Sequence, residues 1–129
     1  MDIELEKKTF QAFVVPSKRS RYAELLDSER GRKKVRLSLD HFKDLNPRFC
    51  QEPKPSDSVH AALSSFGAPS NCYVISSNDK LDGREMNLGE ALKEIVGFGF
   101  GSFISCIPGK LAYFEGEGPS DRFICRRTT

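Results

Sequence analysis

The fold is decided by residues 86–127, which read MNLGEALKEIVGFGFGSFISCIPGKLAYFEGEGPSDRFICRR. The first part predicts a helix, because Asn87 is a good N-cap and Glu90 follows at the spacing of a capping box. Gly97 supplies the left-handed position that often ends a helix. Between them, the apolar residues recur on one helix face: Leu88, Ala91, Leu92, Ile95 and Val96.

The second part of this stretch predicts a hairpin and a third strand. Two β-prone runs, 102–107 and 110–115, flank Pro108-Gly109. Because Pro-Gly favours a type II turn, which suits tight hairpins poorly, we expect a connection of about three to five residues. Residues 122–126 predict a short strand, and their flanking charges favour an edge position.

The run 103–107 is apolar on both faces, which is typical of a central strand covered on both sides. With period two, Phe103 and Ile107 are expected on one face and Ile104 and Cys106 on the other. The helix at 88–96 is the natural cover for one of these faces.

The N-terminal half is expected to begin with a flexible arm or strand lead-in at residues 1–9. Residues 10–15 then predict a first strand. A helix follows over 17–31, with Gly31 ending or bending it. Residues 33–45 fit a helix period better than the strand alternation that Val35, Leu37 and Leu39 also allow.

Ser56 is expected to cap the next helix, whose apolar stripe lies within 59–66 and which Gly67 ends. Residues 71–76 predict a buried strand. The whole order predicts a single α+β domain over 1–129. Its sheet is expected to be partly antiparallel, with about four to five strands, a C-terminal hairpin and about three to four covering helices.

Composition is that of an ordinary folded domain. The chain is 38% hydrophobic and 29% charged, with a net charge of +2. Nothing in the sequence approaches the roughly 20 apolar residues that a membrane-spanning helix needs. The acidic start of the chain lacks the apolar segment of a secretory signal, so we expect a cytoplasmic protein without a membrane partner.

The four cysteines, Cys50, Cys72, Cys106 and Cys125, contain no C-x-x-C pair. In a cytoplasmic protein they are expected to be reduced, buried, small hydrophobic residues. A zinc site combining three of them with His41 finds no support in the spacing, and we expect no metal and no cofactor.

Basic residues are concentrated in 17–36, which holds eight Lys and Arg against three acids. The densest part, Arg32, Lys33, Lys34 and Arg36, is the candidate binding patch. It is a candidate for binding nucleic-acid phosphates, anionic lipid or an acidic protein partner, although a solvated helix face is the usual explanation.

Two motif-like readings concern the glycine-rich string 96–103. It resembles the RNP1 signature of the RNA-recognition motif through Phe98, Phe100 and Phe103, but it has Val96 where a basic residue is needed and follows a helix directly. It also has the glycines of a phosphate-binding loop, but such loops lead into a helix, whereas this one leaves a helix.

An enzyme would need a nucleophile or an acid–base set, and the weak candidates are Cys106 and His60. Cys106 lies among Phe and Ile in a predicted strand, where a thiol is normally inert. His60 borders the apolar stripe of its helix, where a structural histidine is common. No convergent catalytic set is apparent.

The segments 81–86 (LDGREM) and 105–117 (SCIPGKLAYFEGE) resemble a small bacterial protein family with no assigned activity. The resemblance implies a prokaryotic, cytoplasmic protein and no particular chemistry. The leading hypothesis is therefore a non-enzymatic binding or regulatory domain that acts through a protein partner or self-association. The alternatives are nucleic-acid binding through 17–36 and a small thiol- or histidine-dependent enzyme.

Overall fold

A computed structural model of the chain describes residues 1–54 and 58–128. In these residues, five α-helices accompany six strands, which confirms the α+β class with slightly more strands than predicted. The helices are α1 (Ile3–Phe13), α2 (Arg19–Leu25), α3 (Glu29–Ser38), α4 (Val59–Ser65) and α5 (Leu88–Ile95). The strands are β1 (Cys50–Gln51), β2 (Asn71–Ser76), β3 (Glu85–Asn87), β4 (Ser102–Ile107), β5 (Leu111–Glu115) and β6 (Arg122–Arg126).

The strands form one sheet in the order β1-β6-β5-β4-β2-β3, and every neighbouring pair is antiparallel. The predicted hairpin is confirmed as β4 and β5, with Phe103 opposite Phe114 and only residues 108–110 between the strands. The prediction that 122–126 is an edge strand is wrong, because β1 pairs with the outer side of β6. Sequence patterning missed β1, since two residues are too short to show a period.

Helices cover both faces of the sheet. On one face, α1, α2 and α3 bury Phe10, Phe13 and Val35 against Phe103 and Phe114. On the other face, α4 and α5 pack on a second cluster of buried residues: Leu63, Val74, Leu88, Ala91, Ile95, Ile104 and Tyr113. The central position of β4 and its cover by α5 are therefore confirmed.

One side-chain direction in β4 differs from the prediction. Phe103 faces the first cluster and Ile104 and Cys106 the second, as expected. Ile107, however, packs against the second cluster as well. The pairing of β4 with β5 shifts register between Ser105 and Ile107, and such a bulge interrupts the strict alternation of faces.

The N-terminal predictions are wrong, because residues 1–9 are no arm and 10–15 is no strand. Helix α1 begins after Asp2, whose side chain accepts a hydrogen bond from the Leu5 amide. Its buried face holds Glu6, Thr9, Phe10 and Phe13, which is helical spacing. The helix escaped notice because two of these four positions are polar.

Gly31 neither ends nor bends a helix, which corrects another prediction. The chain turns after α2, Ser28 caps α3, and Gly31 lies in the first turn of α3. A Cβ atom at Gly31 would lie 2.1 Å from the carbonyl oxygen of Leu25. The glycine thus allows the end of α2 to approach α3 closely. The helix predicted over 33–45 is confirmed for residues 33–38 only: Leu39–His41 is a 3-10 helix, and residues 42–45 are not helical, because Leu45 instead forms a β-bridge with Val14.

The remaining local signals agree with the structure. Asn87 accepts a hydrogen bond from the Glu90 amide at the start of α5, and Gly97 follows that helix with a positive φ of 89°. Gly67 has a φ of 93° after α4. Ser58 caps α4, while Ser56, which we expected to do so, lies outside the described residues.

Replacing Gly31 by Ala should destabilise the fold by about 1–3 kcal/mol, because the added methyl group must displace backbone. This cost outweighs the roughly 1 kcal/mol by which Ala is the better helix former. Urea unfolding followed by circular dichroism measures the difference.

The matched control is Gly89→Ala in the first turn of α5, where the nearest groups are the side chains of Asn87 and His60 at 3.2 and 3.5 Å. These contacts are with side chains rather than backbone and need a shift of only a few tenths of an ångström at the Asn87 cap, so this variant should be far less destabilising than Gly31→Ala. Equal destabilisation of both variants would contradict the close approach at Gly31.

Candidate functional site

The predicted basic patch is only partly exposed. Arg32 is 6% exposed, and its guanidinium binds Glu6 through Nε and Nη2 at 2.8 and 2.9 Å. The same guanidinium binds Asp82 through Nη1 and Nη2 at 2.6 and 3.0 Å. Tyr73 donates a further hydrogen bond to Glu6 at 2.6 Å. Arg32 therefore joins α1 and α3 to the loop after β2, which corrects its place in a solvent-facing patch.

Arg36 also makes its hydrogen bonds to other residues of the chain. Its guanidinium donates to the Asp79 carboxylate at 2.5 Å and to the backbone carbonyl of Ser77 at 3.2 Å. Lys33 and Lys34 are exposed. Of the four predicted binding residues, the two lysines alone present their charge to solvent.

The thiol and the imidazole proposed for catalysis do not form a catalytic pair. Cys106 is 5% exposed beneath α5, and burial raises the pKa of its thiol to about 12. His60 is exposed on α4, and its ring lies close to Gly89 of α5. No hydrogen bond joins His60 to Cys106 among the described residues. A buried thiol with a raised pKa is a poor nucleophile.

The amides of the glycine-rich string bind carboxylates of this chain rather than an external phosphate. Glu115 at the end of β5 is 1% exposed and accepts from the Gly97 amide at 2.9 Å and the Gly99 amide at 3.4 Å. The Tyr113 hydroxyl donates to it at 2.7 Å. The Gly101 amide donates to Asp40 at 2.6 Å.

The aromatic residues of this string do not share an open sheet face, as an RNP1 strand requires. Phe103 is fully buried in the first core cluster. Phe98 is 65% exposed and precedes β4. Since helices cover both faces of the sheet, it offers no open face on which RNA bases could stack.

A different surface gathers arginine and phenylalanine. A cavity of about 400 Å³ lies between α4, β1 and β6. We call it the arginine–phenylalanine groove and define it by its cationic and aromatic lining: Arg48, Phe49, Lys54, Phe66 and Arg126. These residues come from three separate segments of the chain. The antiparallel pairing of β1 with β6 and the packing of α4 bring the three segments together.

Guanidinium groups lie over both rings of this groove, those of Arg48 and Arg126 from its lining and that of Arg127 from outside the lining. The Arg126 guanidinium carbon lies 4.0 Å from the centroid of Phe66, and that of Arg127 lies 4.2 Å from the centroid of Phe49. Arg48 approaches the same Phe49 ring at 5.3 Å. Within residues 1–54 and 58–128, no ion pair neutralises these three arginines.

This site escaped prediction from the sequence. Arg126 ends β6 and Arg127 follows it, and the charges flanking this strand suggested only edge protection. Arg48 and Phe49 lay outside the basic segment, and Phe66 was assigned to the buried stripe of α4. It is 39% exposed, because it follows the last helical residue of α4.

The described residues contain no group of three or more His, Cys, Asp or Glu side chains close enough to hold a metal ion. They also contain no helix with the length and apolar character to cross a bilayer. No family model, curated protein or solved structure matches the chain. The fold and the groove thus define an α+β domain with a doubly covered antiparallel sheet and a cationic, aromatic surface site.

Replacing Arg32 by Met should lower the free energy of unfolding by about 3–5 kcal/mol, because Glu6 and Asp82 would lose the cation that compensates their buried charge. Urea unfolding checks this. Lys33→Met on the same helix is the control and should change stability by less than about 0.5 kcal/mol, since Lys33 is exposed. A small effect at Arg32 would mean that the ion pairs contribute little to folding.

Cys106 should resist alkylation in the folded protein. With its pKa raised from 9.0 to about 12, its thiolate fraction at pH 8 falls from about one in ten to about one in ten thousand. Iodoacetamide followed by peptide mapping should label Cys106 only after denaturation. Rapid labelling at pH 8 in the native state would instead support a reactive thiol.

Proposed function

We propose that this chain is a non-enzymatic binding domain that recognises an acidic segment of a partner protein at the arginine–phenylalanine groove. The observation that carries the proposal is the position of Arg48 and Arg126, which line the groove over Phe49 and Phe66 and have no ion-pair partner among the described residues. The bacterial origin and the cytoplasmic location stay predictions from the sequence.

The arginines over these two rings carry positive charge that no ion pair among the described residues offsets. Arg48 lies over the Phe49 ring and Arg126 over the Phe66 ring. Such a contact with a ring is attractive, about 0.5–1 kcal/mol for an exposed pair, but it leaves the charge of each guanidinium uncompensated. A bound anion would compensate that charge, which favours an anionic partner.

The chemistry favours carboxylates over nucleic acid. A guanidinium that stacks by its face keeps its N–H edge available, and this edge matches a carboxylate in a bidentate arrangement. Nucleic acids instead need aromatic faces on which bases stack, and here arginines lie over both Phe49 and Phe66.

The nucleic-acid alternative through 17–36 is weakened by the internal contacts of its two arginines. Arg32 is buried between Glu6 and Asp82, and Arg36 binds Asp79. Lys33 and Lys34 still face solvent, so they provide a matched pair of exposed cations against which the groove can be compared.

A fluorescein-labelled oligoglutamate peptide should bind the folded chain, and its oligoglutamine counterpart should not. Arg126→Ala and Arg48→Ala should each weaken binding about tenfold, corresponding to about 1.4 kcal/mol for a charge-assisted contact. Phe66→Leu should weaken binding less, since it removes only the ring beneath Arg126. Fluorescence anisotropy measures peptide binding by the unmodified chain and the three variants, and raising the salt from about 50 to about 200 mM should weaken binding.

The double variant Lys33→Ala/Lys34→Ala is the control and should bind the peptide as the unmodified chain does. Tighter binding of a single-stranded oligonucleotide, lost in this double variant, would replace the proposal with the nucleic-acid alternative. Concentration-dependent self-association abolished by Arg126→Ala would assign the acidic segment to a second copy of this chain.

A further inference from the structure

The four cysteines lie in two cross-strand pairs, one on each face of the sheet. Cys50 of β1 is the direct register partner of Cys125 of β6, and both belong to the first core cluster. Tyr73 of β2 is opposite Ser105 of β4, so the same register continued by one residue places Cys72 opposite Cys106. All four thiols are free and buried.

The geometry of the Cys50–Cys125 pair suits a covalent bond. The Arg126 amide donates to the Phe49 carbonyl at 2.8 Å, which places residues 49 and 126 at a hydrogen-bonding position of the ladder, although the Phe49 amide donates to Asn46 instead. The next pair along an antiparallel ladder is non-hydrogen-bonded, with Cα atoms about 4.5 Å apart and closer side chains. That spacing falls within the range of roughly 4.4–6.8 Å that a disulfide spans.

We propose that Cys50 and Cys125 form a dithiol site that a low-molecular-weight disulfide oxidises to a cross-strand disulfide. One thiol loses a proton and its thiolate attacks the small disulfide, which releases one small thiolate and leaves a mixed disulfide on the protein. The second cysteine, deprotonated in turn, attacks the protein sulfur of that bond and releases the second small thiolate. The protein dithiol is oxidised by two electrons, and the small disulfide is reduced to two thiols.

The lengths of the strands explain why Cys50 and Cys125 should react whereas Cys72 and Cys106 should not. β1 has two residues and pairs only with β6, so few hydrogen bonds must break for it to open and expose both sulfurs. β2 and β4 have six residues each and lie inside the sheet. Cys72 and Cys106 therefore stay covered when β1 opens.

The pKa of Cys125 also indicates that the pair does not react while β1 is closed. Burial raises the pKa of Cys125 well above its ordinary value, and the neighbouring Cys50 adds to the shift. Both sulfurs are also buried, so attack on a small disulfide requires the opening of β1. In a reducing compartment the pair rests as the dithiol.

The site goes beyond the proposed binding function and does not depend on it. Gln51, which follows Cys50, and Arg126, which follows Cys125, both line the arginine–phenylalanine groove. A bond between β1 and β6 would therefore fix two walls of that surface relative to each other.

Incubation of the full folded chain with oxidised glutathione, followed by iodoacetamide under denaturing conditions and peptide mapping, tests the site. The expected products are a Cys50–Cys125 linked peptide and alkylated Cys72 and Cys106, and dithiothreitol should reverse the linkage. The oxidised chain should unfold at a higher urea concentration than the reduced chain, because the bond closes a long loop.

Cys125→Ser should leave Cys50 as a stable mixed disulfide with glutathione, whereas Cys106→Ser should still form the Cys50–Cys125 bond. The mapping of the unmodified chain needs no variant, so a folding defect in either one leaves the test intact. Recovery of Cys50 and Cys125 as alkylated thiols, or linkage of Cys72 to Cys106 first, would overturn the proposal. Neither readout involves the groove, so the two proposals fail independently.

Discussion

Strand β4 is apolar on both faces, and this constraint sets the architecture of the molecule. Phe103 must be covered on one side of the sheet and Ile104 on the other, since each large apolar side chain gains about 1.5–3 kcal/mol from burial. One layer of helices cannot meet both requirements. The chain therefore places α1–α3 on one face and α4 and α5 on the other.

A sheet enclosed in this way must satisfy the polar groups that it buries. Glu115 is surrounded by glycine amides and the Tyr113 hydroxyl, and Arg32 is held between Glu6 and Asp82. Buried charges are tolerated only when they are paired or hydrogen-bonded. The features that look most functional in the sequence, the glycine string and the basic segment, therefore serve largely to hold the two layers on the sheet. Arg48 and Arg126, which have no ion-pair partner among the described residues, lie instead at the groove beside β1 and β6.

The proposed binding groove and the proposed dithiol site both lie at the edge of the sheet that the short strand β1 forms. β1 is bound to β6 alone, whereas β4 has a neighbour on each side and helices above and below. Binding and modification both require access, and local opening is easiest where few backbone hydrogen bonds hold a strand. The interior strands supply the stability that lets this edge carry stacked arginines and a thiol pair.

The sequence by itself determined the elements whose signals are local: the cap at Asn87, the apolar period of α5, the stop at Gly97, and the alternating runs that became β4 and β5. Only the tertiary structure decided the rest, because the relevant contacts join distant residues. The helix α1 was hidden since Glu6 and Thr9 are buried by partners elsewhere in the chain, and Gly31 is required by the backbone of Leu25 rather than by its own conformation. Likewise, Arg126 meets Phe66 and Cys50 meets Cys125 through strand pairing and helix packing, which no local pattern of residues encodes.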